Sequence, residues 1–371
     1  MIQHSDHFHG SDLEKIEQIY GINRNEIVSF SANVNPLGLS PRLRDTLAEH
    51  LDVITGYPDR EYLGLRKVIA GYCDTEPEHI VVGNGSTELI SLFIQLEHPK
   101  KALIIGPTYS EYEREVSLGG GTSLYFPLRE KDGFSLDYDK LETQLNESID
   151  LLILCNPNNP TSTCITRQTM RNILDVCKQN DIFVMVDETY IEFTSNYDEV
   201  NCIPLTRYYN NIIILRGISK FFAAPGLRLG YGITGNRDLI KAINSRQNPW
   251  TINSLAEEAG KLMFTDEDYI ARTKKLISTE RARVTDILSN IKGLKVYEPS
   301  ANFVLVKIED EDVNADILFD ACIRSKMMIR NCCTFPFLSN KFFRLCFMLP
   351  EMNDRLINVI RDCILSQKPA C

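Results

Sequence analysis

The chain has 371 residues, 43% of them apolar and 24% charged, values of a folded soluble protein and far from those of a disordered one. Forty Lys and Arg against 50 Asp and Glu give a net charge of -10, so the charge balance points to neither nucleic acid nor an anionic membrane as partner. At roughly 150 residues per domain, the length suggests two to three domains' worth of chain.

Taken in order, the segment Ser11-Asp12-Leu13-Glu14 has the S-x-x-E form that opens a helix, which should stop at Gly21. Residues 27–30 read as a short strand running into the polar turn 31–36, and residues 42–52 as a helix ending before Tyr57-Pro58-Asp59. From residue 80 onward, short apolar runs alternate with helical stretches: strands at 80–82, 102–105, 151–155, 182–186, 212–215 and 229–233, with helices at 88–96 and 167–179. Apolar, β-branched runs separated by helices predict an α/β fold with a mostly parallel sheet covered by helices, whose ligand site lies at the carboxyl ends of the strands. After residue 250 come helices over 254–263 and 268–291. A compact α+β tail follows, with strands near 296–297, 302–307 and 343–347 and helices at 316–325 and 351–366. The expected division is a large α/β domain over 46–265 and a small α+β domain built from 1–45 plus 266–371.

Eleven cysteines at irregular spacings, with no C-x-x-C pair, indicate neither a disulfide framework nor a zinc ribbon. No metal is expected, and so many thiols fit a reducing cytoplasm. The first fifteen residues are polar, which predicts no signal peptide, and no apolar run reaches the ~18–20 residues of a membrane span. All six histidines lie at or before His98. An active site built late in the chain therefore takes its proton shuttle from Lys, Tyr, Asp, Glu or Cys, unless a histidine of the first quarter reaches it.

What stands after each strand carries the chemistry. Asn159 follows one strand, Asp187 and Tyr190 the next and Ser219-Lys220 a third, while Arg228 precedes a fourth. An amide, a carboxylate, a phenol, an amine and a guanidinium converging on one cleft suit pyridoxal 5'-phosphate, which needs an amine to hold it, an anion at its pyridine nitrogen, and donors around its phosphate. Gly83-x-Gly85 also has the start of a dinucleotide loop, but Glu88 stands where a third glycine is required.

The strings N-P-N-N-P-T, D-E-T-Y and S-K-x7-R-L-G-Y occur in that order, with 28 residues from Asn159 to Asp187, 33 to Lys220 and 8 to Arg228. Together they resemble fold-type I pyridoxal-phosphate enzymes of the class I/II aminotransferase family, over nearly the whole chain. The resemblance implies a mostly parallel seven-stranded sheet sandwiched by helices, with a smaller α+β domain. It implies that Lys220 carries the cofactor covalently and moves the substrate's protons, that Asp187 pairs with the pyridine nitrogen, and that Tyr190 and Asn159 contact the phenolate oxygen. Tyr109 would stack on the ring, and Gly85, Ser86, Thr87, Ser219 and Arg228 would cradle the phosphate. Tyr57 would reach the phosphate of a neighbouring subunit, which implies a homodimer with shared active sites. Arg344 matches the arginine that grips the substrate carboxylate.

Within that family the local strings Phe30–Gly38, Asn248–Ala256 and Ile329–Cys332 resemble the branch that decarboxylates L-threonine O-3-phosphate to (R)-1-aminopropan-2-ol O-phosphate for cobalamin synthesis. His9-Gly10 resembles a segment that folds over the substrate there, and His9, Gly10, Asn33, Asn159 and Arg330 would line the substrate pocket, Arg330 as a cation on the phosphate. Arg330 and Arg344 would then meet opposite ends of one small dianion. The alternative branch is the histidinol-phosphate aminotransferases, working with 2-oxoglutarate and glutamate, and a non-catalytic cofactor-binding protein is a third reading. The chain departs from the pattern in four places: Ser11-Asp12 after His9-Gly10, Ser162 for a glycine, Gly217 for a serine, and Tyr190, which is the aminotransferase-like choice.

Overall fold

The computed structural model describes residues 12–365. Its centre is a seven-stranded sheet made of β2 (Ile80–Asn84), β3 (Lys101–Gly106), β4 (Thr122–Pro127), β5 (Leu151–Cys155), β6 (Phe183–Asp187), β7 (Ile212–Gly217) and β8 (Leu229–Ile233), in the order β2-β8-β7-β6-β5-β3-β4. β8 runs antiparallel to both its neighbours, and the other pairings are parallel. Every residue of β5, β7 and β8 is buried, as expected of strands covered on both faces. The polarity of β8 is not visible in its sequence, since a fully buried strand reads alike in either direction.

The helices dock by one apolar stripe each. In Arg167–Gln179 the buried residues are Met170, Ile173, Leu174 and Cys177, spaced 3, 4 and 7 along one face, and the Thr166 hydroxyl caps the Thr169 N–H at 3.1 Å. The first helix runs Leu13–Tyr20 and ends on Gly21 in the left-handed region, with Asp12 rather than Ser11 at its N-cap. Edge strand β4 has no period-2 pattern in its sequence, opening on Thr122-Ser123 and closing on Pro127, and as an edge strand it is buried only at Phe126.

A second sheet is antiparallel throughout: β9 (Leu294–Val296), β10 (Phe303–Ile308), β12 (Arg330–Asn331) and β13 (Phe342–Cys346), in the order β12-β13-β10-β9. β1 (Val28–Ser29) pairs in parallel with β11 (Met327–Met328), which ties the start of the chain to its last third. The 23-residue helix Glu267–Ser289 links the two sheets. Its Arg281 donates to the carbonyls of Phe193 and Ser300 at 2.9 and 2.7 Å, binding a loop of the large sheet to the approach to β10. No helix among the described residues is long and apolar enough to cross a membrane.

Candidate active site

A cavity of about 490 Å³ opens where the carboxyl ends of β5, β6 and β7 face the second sheet. It brings together Ser86, Thr87, Tyr109, Asn159, Asp187, Tyr190, Ser219, Lys220, Arg228, Arg330 and Arg344 from segments far apart in the chain. Gly85 lies just behind this lining, and Asn33 is fully buried one layer back, its Nδ2 donating to Tyr190 Oη at 3.4 Å. Tyr57 stands outside the cavity. It is 81% exposed and stacks on Trp250 with centroids 4.5 Å apart. His9 and Gly10 lie outside the described residues.

The end of the cavity beside Ser86 and Arg228 is shaped by glycines. Gly85, at φ +78°, precedes the helix Ser86–Glu97, whose first N–H groups carry no side-chain cap. A Cβ on Gly85 would stand 2.4 Å from Arg228 Nη2, and one on Gly230 would stand 2.2 Å from the Ser86 nitrogen. These two positions let a cation and a helix N-terminus approach the same point, a combination that favours an anion. Gly217, where a serine was expected, leaves its Cβ position 3.7 Å from Ser86 Oγ, so a hydroxyl would fit there and the chain lacks it.

Lys220 follows β7 on a half-buried turn. Its Nζ donates to the Ala32 carbonyl at 2.7 Å, and burial, reinforced by the Arg344 charge, lowers its pKa to about 8. Asp187 ends β6 with both carboxylate oxygens engaged. Tyr112 Oη donates to Oδ2 at 2.6 Å, and the Thr189 amide and hydroxyl donate to Oδ1 at 2.9 and 2.5 Å. Neither Tyr112 nor Thr189 was singled out from the sequence. Thr189 could have been, since a threonine two residues after an aspartate is a common local turn; nothing local marks Tyr112. Behind them Glu188 and Arg216 form a fully buried ion pair at 2.6 Å, bracing the strand ends that carry Asp187 and Lys220.

On the opposite wall, Arg330 on β12 and Arg344 on β13 are register partners, so their side chains leave the same face of the sheet. They are neighbours on that face, close enough for one small dianion to reach both. Arg344 donates to Asn159 Oδ1 and, at 2.5 Å, to the Ser31 carbonyl, and its guanidinium carbon stands 5.2 Å from the Phe303 ring centroid. Ser162 holds the Asn159 turn against this sheet. It adopts φ +62° without being glycine, and its hydroxyl accepts the Ala301 N–H at 2.9 Å, a contact glycine could not make.

The residues present fit pyridoxal phosphate. Ser31 Oγ, Thr108 Oγ1 and Arg344 Nε belong to lining residues, are buried, and have no partner within the protein, so the cavity is polar and incompletely satisfied. The cradle that a Cβ at Gly85 would fill, the buried amine of Lys220 and the braced carboxylate of Asp187 supply the kinds of group that cofactor requires. The fold and this site define a fold-type I pyridoxal-phosphate enzyme.

The chain belongs to the class I and II aminotransferase family, whose model matches residues 25–360. It is 32% identical to the threonine-phosphate decarboxylase of Salmonella typhimurium over 362 residues, covering 98% of each chain. It is also 32% identical to a histidinol-phosphate aminotransferase of Ruminiclostridium cellulolyticum, covering 89% of this chain and 91% of that one. Among solved structures, the histidinol-phosphate aminotransferase of Clostridium acetobutylicum superposes with a TM-score of 0.84 at 32% identity, over 90% of this chain and 97% of that one. Overall identity does not separate the two reactions, so the chemistry of the pocket has to.

Proposed function

We propose that this protein decarboxylates a phosphorylated amino acid, L-threonine O-3-phosphate, to (R)-1-aminopropan-2-ol O-phosphate, the reaction that serves cobalamin synthesis. The observation that carries this reading is the pair Arg330 and Arg344 on one face of one cavity with Lys220. Two adjacent cations suit a small substrate with both a carboxylate and a phosphate. O-phosphothreonine carries both on one molecule, whereas histidinol phosphate has no carboxylate and the glutamate that would partner it has no phosphate. The match to the decarboxylase along nearly the full chain supports the same choice.

Bound pyridoxal phosphate supplies an electron sink that weakens the bonds at the substrate's Cα. In this reading Ser86, Thr87, Ser219 and Arg228 bind its phosphate, with Gly85 making room. Asp187 faces the pyridine nitrogen, Tyr109 covers the ring, and Asn159 and Tyr190 meet the phenolate oxygen. Arg344 orients the substrate carboxylate, Arg330, with His9 and Gly10, binds the substrate phosphate, and Asn33 acts on the pocket from behind through Tyr190. Lys220 Nζ, whose pKa of about 8 keeps it largely protonated near pH 7, would deliver to Cα the proton that takes the place of the departing CO2. We read the protein as a homodimer in which Tyr57 serves the neighbouring subunit's phosphate site, built from a large domain over 46–265 and a small one from both chain ends. Its many thiols support a cytoplasmic setting.

Tyr190 favours a second reading, transamination of histidinol phosphate, because its phenol lines the cavity where the decarboxylase branch often has phenylalanine. Two assays decide. O-phosphothreonine without a keto acid should release CO2, and histidinol phosphate with 2-oxoglutarate should form no glutamate. Product in the second assay alone rejects the decarboxylase reading.

A further inference from the structure

Arg330 does not stand alone at its end of the cavity. Its Nη2 donates to Thr334 Oγ1 at 3.2 Å, and its guanidinium carbon lies 5.3 Å from the Phe335 ring centroid. All three residues line the cavity. A short loop brings them together. The Asn331 side chain accepts the Cys333 N–H at 3.0 Å, the Cys332 carbonyl accepts the Phe335 N–H at 3.0 Å, and the Cys332 N–H closes the base on the Phe342 carbonyl at 3.0 Å. The chain thereby turns back over Arg330, with Phe335 buried and Thr334 exposed at the cavity mouth.

This arrangement selects among anions. An aromatic face holds a guanidinium in one plane and leaves its edge donors pointing outward. A planar carboxylate has two oxygens and is satisfied by one such edge; a phosphoryl group has a third oxygen out of that plane. The Thr334 hydroxyl accepts from Arg330, which leaves its own proton to donate. No acceptor for that proton is found among the described residues, and a third phosphoryl oxygen is the acceptor it suits. Arg344 differs, since its Nη1 and Nη2 already donate to Asn159 and Ser31, with only Nε left unpartnered among the described residues.

We propose that Thr334 and Phe335 determine the preference for a phosphoryl over a carboxylate group, Thr334 by binding the third oxygen and Phe335 as a positioning residue that sets the plane of Arg330. The proposal rests on the reading that the substrate is phosphorylated, but not on which bond at Cα breaks.

Calorimetric titration of the cofactor-loaded enzyme tests it with two ligands that have no amine to react, 3-phosphonopropionate and succinate. The wild type should bind the phosphonate about tenfold or more tightly than the dicarboxylate. Thr334→Val should remove about tenfold of that preference with succinate affinity unchanged, and Thr334→Ser should restore it. Phe335→Leu should lower the preference while Phe335→Tyr keeps it. A wild type without preference, or a Thr334→Val variant with wild-type preference, overturns the assignment of Thr334. Phe335→Leu losing both ligands equally, with a lowered melting temperature, overturns that of Phe335. Failure of the decarboxylase reading shows separately, as no CO2 from O-phosphothreonine while the wild-type preference for the phosphonate stands.

Discussion

Arg330 and Arg344 sit directly opposite each other across the antiparallel β12–β13 pair and send both guanidiniums toward the cavity that holds Lys220. Like charges at such a position destabilise a sheet. Here Asn159 and Ser31 each accept from one nitrogen of Arg344, while Arg330 gives one donor to Thr334 and rests against the Phe335 ring. Removing Arg330 should therefore separate binding from folding. Arg330→Gln is expected to raise KM for a phosphorylated substrate about 10- to 100-fold, with cofactor affinity unchanged and the melting temperature without substrate equal or higher. Equal loss of cofactor and substrate binding would contradict the role assigned to it.

Tyr112 fills one oxygen of Asp187 from a fully buried position. Tyr112→Phe removes a hydrogen bond to a charged group, worth about 1.5–3 kcal/mol. Cofactor dissociation, followed by its visible absorption during dialysis, should tighten or loosen with that carboxylate's placement; a loosening of about tenfold is expected. The unchanged ring volume should keep the melting temperature of the apoprotein within a few degrees.

Gly85→Ala places a Cβ 2.4 Å from Arg228 Nη2 at a residue with φ +78°. Either Arg228 or the turn must move, and both belong to the anion cradle. The expected outcome is weaker cofactor binding, measured by titrating the apoprotein with pyridoxal phosphate. Gly120→Ala, at φ +79° with open space around its Cβ position, is the control for strain alone and should bind the cofactor normally.

The Glu188–Arg216 pair has no exposed surface, and Glu188 also accepts the Cys202 N–H at 2.8 Å. Arg216→Met leaves a buried carboxylate without its cation, at a cost of about 3–5 kcal/mol read from denaturant unfolding. Adding Glu188→Gln should recover much of that loss. If the single variant is as stable as the wild type, the pair does not brace the strand ends.

Lys220 supplies a pH signature in the apoprotein. Its pKa falls from 10.5 to about 8 on folding, so between those values the unfolded chain binds the additional proton. The penalty for burying the amine is then full below about pH 8 and fades as pH rises toward 10.5, so stability should increase with pH across that window. Lys220→Met should lack this component, seen as a smaller rise in unfolding free energy than the wild type shows between pH 8 and 10.5. The same substitution should abolish the visible absorption of covalently held cofactor.

The cavity-lining positions were legible because each lies at a fixed short offset from the end of a buried strand. Asn159 follows β5, Asp187 closes β6 and Lys220 follows β7, so apolar runs and the turn residues after them sufficed to bring an amide, a carboxylate and an amine to one edge. The helix Arg167–Gln179 was equally plain, since its stripe and its cap are local. Relationships between distant segments were beyond that reach. The reversed direction of β8, the Ala32 carbonyl on Lys220, Tyr112 on Asp187 and the register that sets Arg330 beside Arg344 are all products of long-range pairing. Sequence periodicity states which face of an element is buried. Which residue it meets there is decided only when loops close and strands lock in register, because that choice depends on hydrogen bonds and packing between parts of the chain that carry no local trace of each other.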